Sequence, residues 1–301
     1  MDSGQAVSAT PNGTVSLPEK VPLIRRLKDL ARSGLTACGL DYQRWVFGAG
    51  GQVFHVGFTS SGTSVQFGWR RNSELGTLAG LRSRGIRTVL DVGANNGGFA
   101  WQAMNALPDA HIHSFEPLPS VYAELERRIR KRRAARVTAY NLAIGDHEGE
   151  VAMFLHPEDT ATSSLLPSSQ ASRDRSSIYR NTEIVKVKMD TLDGWVERSN
   201  IALEPGILLK LDVQGYEERV LRGAEQTLRL ALACLLEVNF DHLYDGQPTF
   251  ESLSDHLRSF GYSFAGVLQQ DYAEDGRVAF ADALFIRESV CWRQLDREQE
   301  R

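Results

Sequence analysis

The sequence predicts a doubly wound α/β fold, and three features indicate it. Residues 88–99, TVLDVGANNGGF, run from a short apolar segment through a Gly/Asn turn into residues with helical spacing. Two later apolar segments, 207–213 and 233–239, also carry an acidic residue near their end. Helical patterns separate these segments, as in a parallel sheet with crossover helices. We therefore expect a Rossmann-like sheet that is mostly parallel, with an antiparallel last strand.

The bulk composition is that of an ordinary globular protein. The chain has 301 residues, of which 42% are apolar and 24% charged, with a net charge of -4. This balance disfavours a nucleic-acid partner, because such proteins are more often clearly basic. Cys38, Cys234 and Cys291 are scattered without C-x-x-C spacing, which favours a reducing, cytoplasmic setting. No apolar run is long enough for stable membrane insertion.

The chain is expected to divide into four parts. Residues 1–20 are rich in Ser, Thr, Gly and Pro and lack the apolar core of a signal peptide, so a disordered leader is expected. Residues 21–87 form an amino-terminal helical and β-hairpin extension, whose amphipathic helix either packs on the domain or lies on a membrane surface. Residues 88–287 form the main domain, and 288–301 are a charged peripheral tail.

The remaining elements of the main domain follow the same alternation. After the first turn come strands at 111–117, 137–144, 150–155 and 183–190, then the strands at 207–213 and 233–239 and two final strands after residue 261. Helices are expected from Pro119, after residue 190, after Gly215 and over 250–260. The basic residues of the Pro119 helix lie in its last turns, where cations complement the helix dipole. Residues 156–182 are Ser-rich and aperiodic, and form either a cap over the site or a mobile loop.

The turn at 91–97 indicates which ligand the fold binds. Its pattern is D-x-G-x-N-x-G, with Asp91, Gly93, Asn95 and Gly97, instead of the G-x-G-x-x-G of dinucleotide folds. An acidic residue in the turn repels a diphosphate but suits an ammonium group. S-adenosylmethionine (SAM) carries an ammonium and no phosphate, so a SAM site is expected. A nicotinamide site, or a glycine turn that only packs a helix on the sheet, stays an alternative.

A second acidic residue closes the neighbouring strand. Glu116 lies 25 residues after Asp91 (116 − 91), near the spacing at which an acidic residue ends the next strand and accepts hydrogen bonds from both ribose hydroxyls. The alternative is a surface glutamate at a strand end. Pro117 follows it in the expected cofactor site. From their place after the third strand, Asn141, Ala143 and Ile144 are candidates for the adenine pocket, and Ser163 and Ser164 for contacts with cofactor or substrate.

The catalytic candidates lie at the ends of the later strands. Methyl transfer from a sulfonium to an alcohol needs alignment and a group that removes the proton. Asp212 is the first candidate for this base, with Glu237 and His242 second. Alternatively, Asp212 binds the methionine ammonium or caps the following helix. A divalent metal between Asp212 and Glu237 has no supporting ligand spacing, so no metal is predicted.

Together these motifs resemble one family. DVGANNGGF, FEP, NLAIGDHEGE, KLDVQGYEERVLRGA and LLEVN occur in the order and spacing of the FkbM-type methyltransferases, over about residues 88–287. The resemblance implies a SAM-dependent O-methyltransferase acting on sugar or natural-product hydroxyls. The residues that it implies around the methionine and ribose of SAM belong to the turn (Asp91, Gly93, Asn95, Gly97). Asn96, in the same turn, is a further candidate for cofactor binding. It implies Glu116 at the ribose and Asp212 facing the methyl group.

The chain departs from the family pattern at two positions. Gln214 stands where members often have Glu, and Tyr216 where they often have Ala, which puts in doubt any role that needs a third carboxylate near Asp212. The expected partner is a small-molecule hydroxyl acceptor, without nucleic acid. A nicotinamide-dependent oxidoreductase and a non-catalytic SAM-binding module remain the alternative functions.

Overall fold

A computed structural model describes residues 45–49, 52–59, 62–69, 78–82, 84–199, 201, 203, 206–273 and 275–287. The chain divides into two compact units, Met1–Asn72 and Ser73–Arg301. The expectations for the leader at 1–20, the amphipathic helix at 21–40 and the tail at 288–301 lie outside the described residues.

Three antiparallel strands are described in the first unit. They are adjacent in chain order, β1-β2-β3, as the Gly- and Ser-punctuated runs predict. Their bounds are β1 (Trp45–Ala49), β2 (Gln52–Thr59) and β3 (Gly62–Trp69).

The second unit is built on a seven-stranded sheet of order β12-β13-β11-β10-β4-β5-β6. β13 is antiparallel to both of its neighbours, and the other neighbouring strands are parallel. The prediction of a Rossmann-like sheet with an antiparallel last strand is therefore confirmed. The strands are β4 (Thr88–Val92), β5 (His111–Phe115), β6 (Val137–Tyr140), β10 (Ile207–Leu211), β11 (Ala231–Asn239), β12 (Tyr262–Tyr272) and β13 (Val278–Arg287).

One predicted strand is split between two sheets. The prediction of a single strand over 137–144 is wrong: β6 ends at Tyr140, and Ala143–Gly145 (β7) joins a smaller sheet. The Asn141 side chain donates hydrogen bonds to the backbone oxygens of Glu116 and Pro117, both at 2.9 Å, and this contact turns the chain between the two strands. The small sheet has the order β7-β9-β8, with β8 (Gly149–Leu155) and β9 (Glu183–Thr191).

Most of the described helices lie where they were predicted, but Gln170–Arg175 and Ser177–Arg180 lie in the Ser-rich segment, where no helix was predicted. The single helix expected after Gly215 is two, interrupted at Gly223 and Ala224. Gly223 also packs closely on the small sheet, since a Cβ there would lie 2.0 Å from the carbonyl oxygen of Gly145. The helices are α1 (Leu78–Arg82), α2 (Gly98–Ala106), α3 (Pro119–Arg132), α4 (Gln170–Arg175), α5 (Ser177–Arg180), α6 (Leu192–Ser199), α7 (Glu217–Arg222), α8 (Glu225–Leu230) and α9 (Phe250–Ser259). A short 3₁₀ turn covers Thr160–Thr162.

The two central strands carry the core. All five residues of β4 and all five of β10 are buried, and hydrophobic clusters cover both faces of the sheet. Such burial on both sides is expected for parallel strands between two helical layers. It leaves the carboxyl ends of the strands as the place where polar side chains gather.

No helix in the described part of the chain combines the length and apolar character needed to span a bilayer.

Candidate active site

The turn after β4 is shaped by a close approach between two strand ends. Gly93 has φ +80°, and a Cβ there would lie 1.8 Å from the carbonyl oxygen of Asp212, so glycine is required by packing against the protein itself. Asn95 is also left-handed, with φ 45°, and its backbone N–H points at the end of β5.

Glu116 is held at this edge by main-chain donors. Its Oε2 accepts the N–H of Asn95 at 2.9 Å, and its Oε1 accepts the N–H of Leu118 at 2.8 Å. Burial raises the pKa of Glu116 to about 7, although these two N–H groups oppose the rise. Each oxygen keeps a lone pair, so the carboxylate can accept hydrogen bonds from two neighbouring hydroxyls.

A first cavity opens beside Glu116. Seven residues of the expected cofactor set line it: Gly93, Asn95, Glu116, Pro117, Ala143, Ser163 and Asp212. Ile144 lines it too, in a wall shared with Leu142, Met153 and Leu165. The described residues around this cavity include no Lys, Arg or His. A cavity with an apolar wall and a carboxylate, without basic side chains, suits a nucleoside that carries no phosphate.

Three members of the expected set lie elsewhere. Gly97 is covered by Trp101 and Leu125, whose atoms would lie 2.8 Å from a Cβ at position 97. The side-chain amide of Asn141 donates hydrogen bonds to the backbone oxygens of Glu116 and Pro117. Asn141 does not line the first cavity. Asp91 is fully buried beneath the turn. None of these three residues lines either of the cavities described here.

Asp91 belongs to a polar row that crosses the sheet. Ser114, Asp91 and Lys210 are register partners on β5, β4 and β10. Ser114 Oγ donates to Asp91 Oδ2 at 3.1 Å, and Lys210 Nζ lies 3.5 Å from Asp91 Oδ1. Burial raises the pKa of Asp91, whereas Lys210 and Ser114 lower it. The sequence predicted that Asp91 faces the ammonium of a cofactor. In the structure the ammonium beside Asp91 is that of Lys210.

Lys210 also reaches the catalytic candidate. Its Nζ donates to Asp212 Oδ2 at 3.1 Å and to the Gly93 carbonyl at 3.3 Å. Burial alone lowers the pKa of Lys210, but the Asp212 and Asp91 carboxylates more than offset this, so its pKa is raised. Lys210 therefore joins the turn after β4 to the end of β10.

Asp212 and Glu237 form a bridged carboxylate pair. Gln214 Nε2 donates to Asp212 Oδ1 at 3.0 Å and to Glu237 Oε1 at 2.7 Å. Burial and the neighbouring Asp212 raise the pKa of Glu237 well above its usual range. Both carboxylates line the first cavity and also a second one, so the pair lies where the two cavities meet.

The second cavity is polar on its sheet side. Glu237, Asp282 and Gln269 are register partners across β11, β13 and β12, and all three line it. Burial and the nearby Asp212 raise the pKa of Asp282 to about 6. Asn96, the remaining member of the expected cofactor set, also lines this cavity, with Phe99 and Gln102 of α2 and Phe280 of β13. Hydrogen-bonding groups beside aromatic rings suit a polyhydroxylated ligand.

His242, the other catalytic candidate, is not brought to the pair. Its side chain is 62% exposed, its Nε2 lies 3.9 Å from Asp245 Oδ1, and it lines neither cavity. Its backbone oxygen accepts a hydrogen bond from Ser169 Oγ at 2.6 Å. The structure therefore separates His242 from the site on which the sequence placed it.

The Ser-rich segment 156–182 contains a 3₁₀ turn and the helices α4 and α5, and forms part of the first cavity. Thr160, Ala161, Ser163 and Leu165 line that cavity. Ser163 Oγ accepts the backbone N–H of His156 at 3.0 Å, which fixes the start of the segment. Ser163 lines this cavity, as a cap over the site would require, whereas Ser164 does not line it. The cap and the mobile loop both stay predictions.

The family assignment follows from a sequence comparison. A model of the FkbM methyltransferase domain matches residues 91–264, which is more than half of the chain. The chain belongs to the FkbM methyltransferase family. The matched span contains both Glu116 and the Asp212–Glu237 pair, and the family's methyl donor is SAM.

Named relatives are more distant. The chain is 28% identical over 179 residues to the 2-O-methyltransferase NoeI of Sinorhizobium fredii, covering 57% of this chain and 71% of that protein. It is 30% identical over 164 residues to the 31-O-demethyl-FK506 methyltransferase FkbM of Streptomyces tacrolimicus, covering 48% and 62%. The crystal structure of methyltransferase FkbM from Methylobacillus flagellatus matches with a TM-score of 0.43 and 14% identity, over 70% of this chain and 48% of that chain.

The residues of the first cavity fit SAM. The Glu116 carboxylate matches a ribose diol, the wall around Ile144 matches a purine, and the absence of basic residues among the described lining residues matches a cofactor without phosphate. Among the described residues, no group of three His, Cys, Asp or Glu side chains is arranged to hold a metal ion.

Three residues that hold the carboxylates in place, Lys210, Gln214 and Tyr244, were assigned no role from the sequence. Lys210 had a signal, because a lysine inside the apolar run ILLKLDV must find a charged partner when that strand is buried. Gln214 had one as a departure from the family pattern. Tyr244, which is buried and hydrogen-bonds Gln214, had none, because its contact spans 30 positions of the chain.

Proposed function

We propose that this methyltransferase transfers the methyl group of SAM to a hydroxyl oxygen of a sugar or natural-product small molecule. The observation that carries the proposal is the position of the Asp212–Glu237 pair. Both carboxylates line the apolar first cavity and the polar second cavity. A group between cofactor and acceptor is in the right place to take the proton that an attacking hydroxyl loses.

The first cavity is the cofactor site in this proposal. Glu116 accepts hydrogen bonds from the ribose hydroxyls, and Ala143 and Ile144 pack against the adenine. Gly93, Asn95 and Pro117 complete the walls, and Ser163 closes the cavity from the Ser-rich segment. Asp212 lies at the end of the cavity that leads to the acceptor.

The second cavity is the acceptor site. SAM supplies an activated methyl group, so the chain's own contribution is alignment and proton removal. The acceptor oxygen forms a bond to the methyl carbon while the carbon–sulfur bond breaks, and its proton passes to Asp212 or Glu237. The products are a methyl ether and S-adenosylhomocysteine. Asp282 and Gln269 hold the remaining hydroxyls of the acceptor, and Phe99 packs against its apolar face.

The relatives support a hydroxyl acceptor. NoeI is named as a 2-O-methyltransferase and the Streptomyces protein as a methyltransferase of 31-O-demethyl-FK506. Membership of a methyltransferase family rules out the nicotinamide-dependent oxidoreductase. Only a measurement of turnover distinguishes an enzyme from a non-catalytic SAM-binding module.

Turnover with labelled cofactor tests the proposal. Purified chain is incubated with [¹³C-methyl]SAM and a panel of glycosides and polyhydroxylated lactones, and NMR locates the label. We expect label on oxygen, and loss of turnover in Asp212→Asn with SAM binding retained in calorimetry. Label on nitrogen or carbon, or SAM binding without turnover on any acceptor, would contradict O-methylation.

A further inference from the structure

Gln214 uses both of its amide hydrogens on the carboxylate pair. One N–H points to Asp212 Oδ1 at 3.0 Å and the other to Glu237 Oε1 at 2.7 Å. An amide nitrogen has two hydrogens and no acceptor site, so this side chain joins two acceptors at a fixed separation. A carboxylate in its place would bring neither donor.

The orientation of the amide is fixed from its other end. The Tyr244 hydroxyl lies 2.9 Å from Gln214 Oε1 and 2.7 Å from the Thr162 backbone oxygen, so its one hydrogen is shared between two acceptors. Ser164 Oγ donates to the Gln214 backbone oxygen at 2.7 Å. Both backbone and side chain of Gln214 are thus tied to the Ser-rich segment that lines the cofactor cavity.

The backbone at Gln214 is unfavourable for glutamine. Its φ is +54°, in the left-handed region that Gly and Asn adopt more readily. A position chosen only for its backbone would carry one of those residues. Residues held in sparsely populated regions are concentrated at functional sites, which directs attention to the side chain.

The Gln214 amide opposes the effect of the acidic groups near Glu237 on the ionisation of that carboxyl. That carboxyl faces an acid and a base from β10 and its end (Asp212, Lys210), acids on α7 and β13 (Glu217, Asp282) and two phenols (Tyr179, Tyr244). The three acids disfavour its ionised form and Lys210 favours it. Gln214 donates a hydrogen bond that also favours the ionised form.

We propose that Gln214 is a positioning residue of the methyl-transfer site, whose amide sets the separation and alignment of the Asp212 and Glu237 carboxylates, while Tyr244 fixes which end of the amide faces them. The proposal rests on the proposed function for its catalytic meaning. Its geometry is tested without an acceptor.

The decisive variant is Gln214→Asn. Asparagine keeps the amide and suits the left-handed backbone, but it is one methylene shorter and cannot reach both carboxylates. The full chain is labelled with [δ-¹³C]glutamate, Glu237→Gln assigns the resonance, and the carboxyl shift is followed against pH. We expect the apparent pKa of Glu237 to rise by about one unit, a tenfold change in proton affinity, with no loss of thermal stability. A titration that superimposes on wild type overturns the proposal.

Two further variants separate positioning from folding. Gln214→Glu has the same length and replaces two donors by a carboxylate, so we expect a larger rise in the same direction. Tyr244→Phe should give a smaller rise, and its matched control Tyr216→Phe, which removes a hydroxyl away from the pair, none. A rise in Tyr216→Phe equal to that in Tyr244→Phe would overturn the role of Tyr244.

The same variants distinguish this proposal from the function itself. With an acceptor from the labelled-SAM screen, we expect the acidic limb of the kcat/KM profile of Gln214→Asn to move to higher pH, with the KM for SAM unchanged. A uniform loss of kcat without that movement would indicate a merely structural role. If wild type methylates no acceptor while the Glu237 titration shifts, O-methylation fails and the positioning geometry stands.

Discussion

Two sets of carboxylates lie at the same edge of the sheet but are held by different parts of the protein. Glu116, after β5, is fixed by two backbone N–H groups from the neighbouring turns at Asn95 and Leu118. Asp212 and Glu237, after β10 and on β11, are fixed by the side chains of Lys210 and Gln214. Main-chain donors come with the fold, whereas side-chain donors depend on which residues stand at a few positions. We therefore expect substitutions around the pair to have the larger and more specific effects.

The largest effect is expected from Lys210→Met. The substitution leaves the buried Asp91 without the ammonium that faces it at 3.5 Å, and removes one of the two side-chain donors of Asp212, the other being Gln214. Breaking a buried charge pair in this way costs about 3–5 kcal/mol of unfolding free energy. Urea denaturation followed by circular dichroism measures it. Lys186→Met is the control, because Lys186 is 76% exposed and 3.5 Å from Glu150, and should change stability by less than about 0.5 kcal/mol. Equal small changes would show that Lys210 does not hold the site together.

Asp212→Asn tests the pair for chemistry. If Asp212 takes the proton, turnover falls by about 10²-fold or more, because a positioned base contributes at least this much. The dissociation constant of SAM should move by no more than about threefold, since the change acts mainly on the transition state. Labelled-SAM turnover and isothermal titration give the two numbers. Losses of equal size in both would assign Asp212 to cofactor binding.

Glu116→Ala tests the carboxylate held by the main chain. Removing the expected acceptor of the ribose hydroxyls should weaken SAM binding by about 1.5–3 kcal/mol, the range for hydrogen bonds to charged groups. Calorimetry on the folded variant measures it. Glu126→Ala, on an exposed turn of α3 where it pairs with Arg130 at 3.3 Å, should leave SAM affinity unchanged. A normal affinity in Glu116→Ala would remove the ribose assignment.

Glu217→Gln tests a pH dependence of stability, and its expected effect per pH unit is smaller than the effects above. Glu217 Oε1 accepts the backbone N–H groups of Val213 and Gly215, and burial raises the pKa of Glu217 from 4.5 to about 7. The folded state therefore holds a proton that the unfolded chain has released between these values. Stability from this group is present below pH 4.5 and is lost as pH rises toward 7, by on the order of 1 kcal/mol per pH unit.

The pH dependence is read as a difference between two proteins. Urea unfolding of wild type and Glu217→Gln is measured from pH 4.5 to 8. Because the amide does not titrate, we expect wild type to lose stability relative to the variant as pH rises through this window. Parallel curves would show that Glu217 does not carry the proton.

The fold was predictable because its signals are local. The twelve residues TVLDVGANNGGF are enough to predict a strand, a turn and the start of a helix. Glu116 lies at the end of the next strand along the chain. The split of 137–144 was not predictable, because it depends on an Asn141 side chain that reaches the backbone 25 residues earlier. The same limit applies to Asp91. The sequence pattern predicted that its carboxylate binds the ammonium of the cofactor, but the sheet register makes Lys210 its partner.

The sequence by itself determined the class of sheet and the positions of Glu116, Asp212 and Glu237 at or near the ends of strands, since these follow from periodicity and spacing. It determined the family through its resemblance to the motifs of known members. Only the tertiary structure decided that Lys210 neutralises Asp91, that Gln214 joins Asp212 to Glu237 and that His242 faces away. The physical reason is that strand ends are set by neighbours along the chain, whereas the partner of a buried charge is set by strand register and by loops that meet only after folding.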